Sequence, residues 1–393
     1  MLANAEADGA DGTPARIMVV FGTRPEAIKM MPVLRELRAR PGLHPVAVAT
    51  GQHRSMLDGV LATFGMGAPD HDLDVMQSAQ TLASLTGRVL AGMTDLLLRE
   101  RPDLVLVHGD TTTALAAGLA AFYARIPVGH VEAGLRSSDL DRPWPEELNR
   151  VAVDAFAALR FAPTKAAAAN LAGEYGSGRV LVTGNTGIDA LLHTAARLDA
   201  DAALEAGLAA RYAFLHPGRR LVLVTGHRRE SFGEGFARIC TGLARIAARG
   251  DVDVLYPVHL NPQVQGIVRE RLSGQPNVHL IDPVEYLDMV WLLRRAAVIV
   301  TDSGGIQEEA PALGKPVLVL REVTERPEAL ETGVVRLVGT DPDVLARAAD
   351  ALLDDPAFYA RVARPVFPYG DGTAARRIAD CLEERFAMAG ARA

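Results

Sequence analysis

Strand and helix patterns alternate along almost the whole of this chain, which confines it to parallel sheets joined by right-handed crossovers. A first strand is expected over residues 16–22 and a helix over 26–39, with further strands over 46–50, 104–107, 128–131 and 180–183. Pro217-Gly218 punctuates the chain. The alternation then restarts, with strands expected over 221–225, 252–256, 278–281, 297–301, 316–320 and 334–338. At 393 residues the chain exceeds what one hydrophobic core usually supports. The reading is therefore α/β, with two Rossmann-like domains facing across a cleft and hinged near Gly184 to Thr186.

Four segments are expected: a disordered extension over 1–15, a first domain over 16–184, a second over 185–370, and a C-terminal helix over 371–393 that packs back on the first domain. No apolar run reaches the roughly 18 residues of a membrane-spanning helix, and the acidic start lacks the basic-then-apolar layout of a signal peptide. A cytoplasmic protein is expected. Cys240 and Cys381 lie far apart, each within a helical pattern, so they read as buried thiols and support no disulfide framework. A net charge of −7 argues against a nucleic-acid partner, while leaving room for a local basic cleft.

The apolar run Asp103-Leu104-Val105-Leu106-Val107 is what a strand buried on both faces requires, and His108-Gly109-Asp110-Thr111-Thr112-Thr113 follows it directly. Ligands of open α/β sheets bind at that edge. His130-Val131-Glu132-Ala133-Gly134-Leu135-Arg136 and Pro143-Trp144-Pro145-Glu146-Glu147-Leu148-Asn149-Arg150 add two acidic segments, so Asp110, Glu132 and Glu146 are expected to converge. Their clustering is expected to raise at least one carboxyl pKa toward neutrality. The plainer alternative is a pair of local ion pairs, Glu132 with Arg136 and Glu146 with Arg150.

Around Gly22-Thr23-Arg24-Pro25-Glu26, Gly22 is expected to permit a tight turn and Pro25 to open a helix. Arg24 and Lys29 then suit a phosphate near the helix start, or serve as surface charges. Thr301-Asp302-Ser303-Gly304-Gly305-Ile306-Gln307-Glu308-Glu309 also follows a strand, and its glycines let backbone amides approach a pyrophosphate while a carboxylate one turn on suits a ribose diol. His227 and Arg228, and in the same kind of position His259, sit at strand ends where they suit phosphate contact, proton transfer or simple structural bonding. Gly314-Lys315 precedes Pro316 and no spaced glycine triplet follows the first strand, which disfavours a P-loop nucleotidase and a dinucleotide-dependent dehydrogenase. The histidines and acids match no zinc or calcium spacing, so neither a metal nor a cofactor is expected.

Taken in order, the segments at Gly22 to Glu26, His108 to Thr113, His130 to Arg136, Pro143 to Arg150, His227 to Glu230 and Asp302 to Glu309 resemble the non-hydrolysing bacterial UDP-N-acetylglucosamine 2-epimerases. The match runs from about Arg16 to Pro368-Tyr369-Gly370-Asp371-Gly372. This resemblance implies the GT-B glycosyltransferase-like fold, a homodimer, and reversible conversion of UDP-N-acetylglucosamine to UDP-N-acetylmannosamine for surface polysaccharides. It implies proton transfer by Asp110, Glu132 and Glu146, with His227 beside the leaving group. It also implies ligand contacts from Arg24, Lys29, Ser303, Gly304, Gly305, Glu309 and Arg326, and a uracil site where Met289 stands in place of a phenylalanine found in some relatives. Gln52 and His53, with His227, Arg228 and His259, resemble a regulatory second substrate site of some relatives. The rival readings are a hydrolysing epimerase, a glycosyltransferase of the same fold, and a non-catalytic UDP-sugar-binding regulator.

Overall fold

The computed structural model describes residues 13–51, 54–77, 80–228, 231–324 and 326–390. Gln52, His53 and most of the 1–15 segment lie outside the described residues. The chain divides into two compact units, 1–190 with 369–393 and 191–368.

The first unit carries strands β1 (Ala15–Phe21), β2 (Leu43–Ala49), β3 (His71–Asp72), β4 (Leu104–His108), β5 (Val128–Val131), β6 (Leu159–Ala162) and β7 (Arg179–Val182). All pair in parallel, in the order β3-β2-β1-β4-β5-β6-β7. The order reverses between β1 and β4, and the crevice at such a reversal is where open sheets take ligands. Helices α1 (Arg24–Arg38), α2 (Arg54–Thr63), α3 (Leu82–Glu100), α4 (Thr112–Tyr123), α5 (Glu146–Phe156) and α6 (Lys165–Leu171) connect the strands. On α3, Leu85, Val89, Met93, Leu96 and Leu97 form one buried stripe, as a helix covering a sheet requires. The alanines of α4 at 114, 116, 117, 120 and 121 are all buried, and their small size lets this helix lie close against the strands.

Two strands escaped the sequence reading, β3 and β6. β3 has two residues, and β6 holds a buried Arg160 that breaks its apolar pattern and donates to the carbonyls of Gly176 and Gly178, the former at 3.1 Å. Helix α1 begins two residues earlier than expected, because Thr23 caps it and Glu26 returns a bond to the Thr23 amide at 2.7 Å. Gly22 is needed for space, not for a special backbone angle. A Cβ there would stand 2.2 Å from the Thr113 hydroxyl and 2.4 Å from that of Thr50.

The second unit builds on β8 (Arg220–Thr225), β9 (Val252–Pro257), β10 (Val278–Ile281), β11 (Ala296–Thr301), β12 (Val317–Val319) and β13 (Val335–Leu337). These are again all parallel, in the order β10-β9-β8-β11-β12-β13, reversing between β8 and β11. Helix α7 (Thr186–Ala200) carries the chain into this unit, and α8 (Ala202–Arg211), α9 (Glu234–Ala247), α10 (Pro262–Leu272), α11 (Tyr286–Arg295), α12 (Gly304–Ala312), α13 (Pro327–Glu331), α14 (Pro342–Asp354) and α15 (Pro356–Val362) follow. Phe236, Ile239, Leu243 and Ile246 of α9 enter a core with Val222, Val224, Val254 and Tyr256. Burial of each such side chain contributes about 1.5–3 kcal/mol.

The chain returns to the first unit at Tyr369, whose carbonyl accepts from the Asn185 amide at 2.7 Å. Helix α16 (Ala374–Gly390) then packs on α1, with Arg40 paired to Asp380, and Asp189 caps its start by accepting from the Ala374 and Ala375 amides at 3.2 and 2.8 Å. Cys240 and Cys381 are free and buried. Among the described residues no helix is long and apolar enough to cross a membrane.

Candidate active site

In the first unit, the ends of β1, β4 and β5 bring together residues far apart in sequence. Glu132 leaves β5 with a φ of +69°, a left-handed conformation that a glutamate adopts only when its surroundings hold it there. Its Oε2 forms an ion pair with Lys29 of α1, accepts from Asn185 Nδ2 at 3.3 Å, and lies 3.6 Å from His108 Nε2. Burial alone raises the Glu132 pKa, but the Lys29 ammonium and the His108 ring pull it well below the usual carboxylate range. The expected upward shift is thus reversed at Glu132, because the Lys29 ammonium and the His108 ring stand against it in place of other acids.

Asp110 follows β4 and is paired with Arg150 of α5, while Asn149 Nδ2 donates to the Asp110 carbonyl at 2.8 Å. Arg150 also reaches Glu147 at 3.1 Å. Glu147 is buried and accepts from the Ser137 and Ser138 amides at 2.9 and 3.0 Å, fixing the loop before α5. Glu146, one residue earlier, opens α5 half-buried and has no hydrogen-bond or ion-pair partner among the described residues. The two local ion pairs considered from spacing do not form: Arg136 binds Asp154 and Glu174, and Arg150 binds Asp110 and Glu147.

Glu26 is the other acid at this edge, fully enclosed beneath the β1 and β4 turns. It accepts from the Thr111 hydroxyl at 2.6 Å and the Thr23 hydroxyl at 2.8 Å, so it ties the β4 turn to the start of α1. Burial pushes its pKa up against those bonds. Arg24, half-buried, stands at the first position of α1. Asn185 was missed as a partner of Glu132, and Arg150 was weighed as a partner of Glu146 and not of Asp110. The available signal was slight: Asn185 is a polar residue just before α7, and Arg150 lies within α5.

The second unit has its own constellation at the β8 and β11 ends. Asp302 is fully buried, and its Oδ2 accepts from the amides of both His227 and Arg228 at 2.8 Å. The His227 ring stacks on that of His259 with centroids 5.0 Å apart, and its Nδ1 lies 3.7 Å from Asp302 Oδ1. Burial lowers the His227 pKa, the neighbouring His259 and Arg228 lower it further, and Asp302 opposes them. The ring is therefore predominantly neutral at pH 7.

Ser303 stands at the N-cap position of α12 without a side-chain capping bond, and Gly304 and Gly305 are the first residues of the helix, where amides have no intrahelical partner. A Cβ on Gly304 would stand 2.8 Å from Arg326 Cζ, so glycine here leaves room for a guanidinium laid across the turn. Glu308 holds that guanidinium through Arg326 Nε at 3.0 Å. Glu309 lies on the same helix, close enough to Tyr286 of α11 for their charges to interact. Met289, half-buried, sits in the first turn of α11. The structure thus gathers Lys29, Asp110 and Glu132 at one edge of the first unit. In the second unit it gathers His227, Arg228, His259, Ser303, Gly304 and Arg326 at the corresponding edge.

Two parallel-sheet units with polar clusters at both strand-order reversals define a GT-B glycosyltransferase-like α/β protein, and the glycotransferase of kitacinnamycin shares this fold with a TM-score of 0.59 at 16% identity over 94% of this chain and 99% of its own. The family model described as UDP-N-acetylglucosamine 2-epimerase matches residues 35–383. The chain belongs to that family. A probable UDP-N-acetylglucosamine 2-epimerase of Ralstonia solanacearum is 54% identical over 374 residues, covering 95% of this chain and all of that protein. The crystal structure of UDP-GlcNAc 2-epimerase from Neisseria meningitidis bound to UDP-GlcNAc superposes with a TM-score of 0.88 at 44% identity, covering 94% of this chain and 100% of that one.

Proposed function

We propose that this chain interconverts UDP-N-acetylglucosamine and UDP-N-acetylmannosamine by inverting carbon 2. The hydrogen on that carbon is not adjacent to a carbonyl, so no side-chain base removes it from the intact sugar at neutral pH. Breaking the anomeric bond to UDP first gives oxocarbenium character to carbon 1, which acidifies the neighbouring C–H. The C2–H electrons then form the carbon–carbon double bond of 2-acetamidoglucal, UDP leaves with the anomeric electron pair, and a side chain takes the proton. Return of UDP to carbon 1 with protonation of carbon 2 from the opposite face completes the inversion.

The observation that carries this reading is the Lys29–Glu132 pair, a carboxylate kept ionised at a ligand-binding edge that also bears Asp110. Asp110, Glu132 and Glu146 are assigned the proton transfers. Arg24, Lys29, His227 and the amides at Ser303, Gly304 and Gly305 stabilise the departing diphosphate. Arg228 and Arg326 bind phosphate, Glu309 the ribose, and Met289 lies against the uracil. On this division of labour, the 16–184 domain holds the catalytic carboxylates and the 185–370 domain binds UDP. His259, with Gln52 and His53, belongs to a regulatory second substrate site. The reaction needs no metal or cofactor. The resemblance of the ordered motifs is what supports a homodimer.

Incubation with UDP-N-acetylglucosamine in deuterated water tests the reaction class. Deuterium at carbon 2 of a UDP-linked manno product is expected. Release of UDP with free N-acetylmannosamine would instead make this a hydrolysing epimerase, donor consumption only with an acceptor a transferase, and binding without turnover a regulator.

A further inference from the structure

His130 lies at the centre of β5, fully buried, and both of its ring nitrogens face acceptors. Nδ1 is 2.6 Å from Asp154 Oδ1 of α5, and Nε2 is 2.8 Å from the carbonyl oxygen of Gly109. A neutral imidazole carries one N–H and one lone pair. With Asp154 ionised, as its bonds from Arg136 Nη2 and the Gly134 amide favour, either neutral tautomer would point one nitrogen lone pair at an oxygen lone pair within hydrogen-bond distance. Turning the ring over would replace both bonds with C–H contacts. Only the doubly protonated ring satisfies both neighbours.

We propose that His130 is a permanently protonated positioning residue, an internal cation that clamps the Gly109–Asp110 peptide and, through Asp154, the loop bearing Glu132. The clamp has two arms. On one side, the ring donates to the Gly109 carbonyl while the Gly109 amide donates to the Val131 carbonyl at 2.9 Å, so the peptide preceding Asp110 is fixed from both ends of one residue. On the other side, Asp154 Oδ2 accepts from the Gly134 amide at 3.0 Å, two residues beyond Glu132. A single buried carboxylate thus ties together the turns that present Asp110 and Glu132.

The surrounding charges are compatible with a buried cation. From α5 the ring meets Asp154, which also binds Arg136 Nη2 at 2.8 Å, and Arg136 is balanced in turn by Glu174. Glu132, two residues along its own segment, adds attraction, and Glu132 is itself paired with Lys29 and approached by His108. From β6 the register neighbour is Arg160, a like charge whose Nη2 donates to the carbonyls of Gly176 and Gly178. Burial disfavours the charged ring, but Asp154 and the Gly109 carbonyl outweigh it and raise the His130 pKa. The same contacts hold Asp154 ionised below its ordinary range, so the shared proton resides on the imidazole.

The structural part of this proposal is independent of the reaction, whereas the catalytic part rests on the proposed epimerisation. Nitrogen-15 NMR of the histidine-labelled protein tests the first part. One histidine, identified by its loss in His130→Gln, is expected to show two protonated ring nitrogens unchanged from pH 5.5 to 8.5. A non-protonated nitrogen at that residue, or titration inside the range, overturns the proposal.

The second part is read from steady-state kinetics of the full-length protein. His130→Gln keeps a donor for the Gly109 carbonyl but loses the cation, and is expected to lower kcat at least tenfold with KM for UDP-N-acetylglucosamine within twofold. If that variant does not fold, Asp154→Asn supplies the same measurement, since it preserves shape and removes the counter-charge. Wild-type kcat in a folded variant overturns the positioning role. Failure of the deuterium experiment with a doubly protonated His130 intact would sink only the epimerase reading.

Discussion

Lys29 and Glu132, 103 positions apart in sequence, form an ion pair in the first unit with only 16% and 10% of their side chains exposed. The pair gives Glu132 its charge and Lys29 its orientation. Because the Glu132 pKa is depressed below the 4.5 of an unperturbed glutamate, the pairing stabilises the fold above that pH and its contribution fades as pH falls through the lower folded value.

Removing the cation should reverse this. In Lys29→Met the burial of Glu132 is no longer opposed by the ammonium, so the acid limb of kcat/KM is expected to move to higher pH. The single variant should also lose about 3 kcal/mol of stability, much of it regained in Lys29→Met with Glu132→Gln. Denaturant titration of the four-protein cycle measures that coupling. Additive losses would show that the pair is not energetically linked.

Asp110→Asn, Glu132→Gln and Glu146→Gln are each expected to lower turnover by about a hundredfold or more, while UDP binding measured by calorimetry stays close to wild type. Near-normal turnover in any one of them would remove that residue from the proton-transfer set. Of the three, Glu146 is the residue with no ion-pair partner among the described residues, so its substitution should disturb stability least.

Gly304→Ala places a methyl group 2.8 Å from Arg326 Cζ. The guanidinium is the movable party, so the fold should survive while the Arg326–Glu308 contact shifts. UDP affinity is expected to fall about tenfold, the loss of roughly one charge-assisted hydrogen bond. Unchanged affinity would mean that Arg326 does not contact the nucleotide in the way proposed.

Asp189 caps α16 while 7% exposed, and burial together with nearby Asp371 raises its pKa from 3.8 to about 6 despite two amide bonds. A raised folded value means the stabilisation is complete below the unfolded pKa and is lost as pH climbs through about 6. The ionised group therefore costs about 3 kcal/mol near pH 7 relative to its protonated form. Asp189→Asn should accordingly gain in Tm over wild type at pH 7.5, keep about half of that advantage at pH 5, and lose it below the unfolded value of 3.8. A difference that stays constant across this range would contradict the shift.

The strand-end placement of the candidate residues is legible in the local sequence. His108 to Thr113, His130 to Arg136 and Asp302 to Glu309 each follow a short apolar run, and burial on both faces of a parallel strand leaves such a run little other conformation. The helix at α1 is legible too, although its first turn is extended by the Thr23–Glu26 capping box. Strand β6 is hidden because its Arg160 is held through Nη2 by carbonyls 16 and 18 residues away, a compensation no local window contains.

Periodicity and motif spacing determined the two-fold α/β layout and the order of chemical groups along the chain, because both depend on interactions within a few residues. The partners of those groups were decided only by tertiary structure. Spacing offered Glu132 with Arg136 and Glu146 with Arg150 as local pairs, yet Glu132 went to Lys29, Arg136 to Asp154 and Arg150 to Asp110. The cause is the strand order, which sets β1 beside β4 and β4 beside β5 and so brings distant carboxylates and cations within reach at one sheet edge. Charge pairing in that partly dry edge is governed by distance through space, and distance along the chain has no bearing on it.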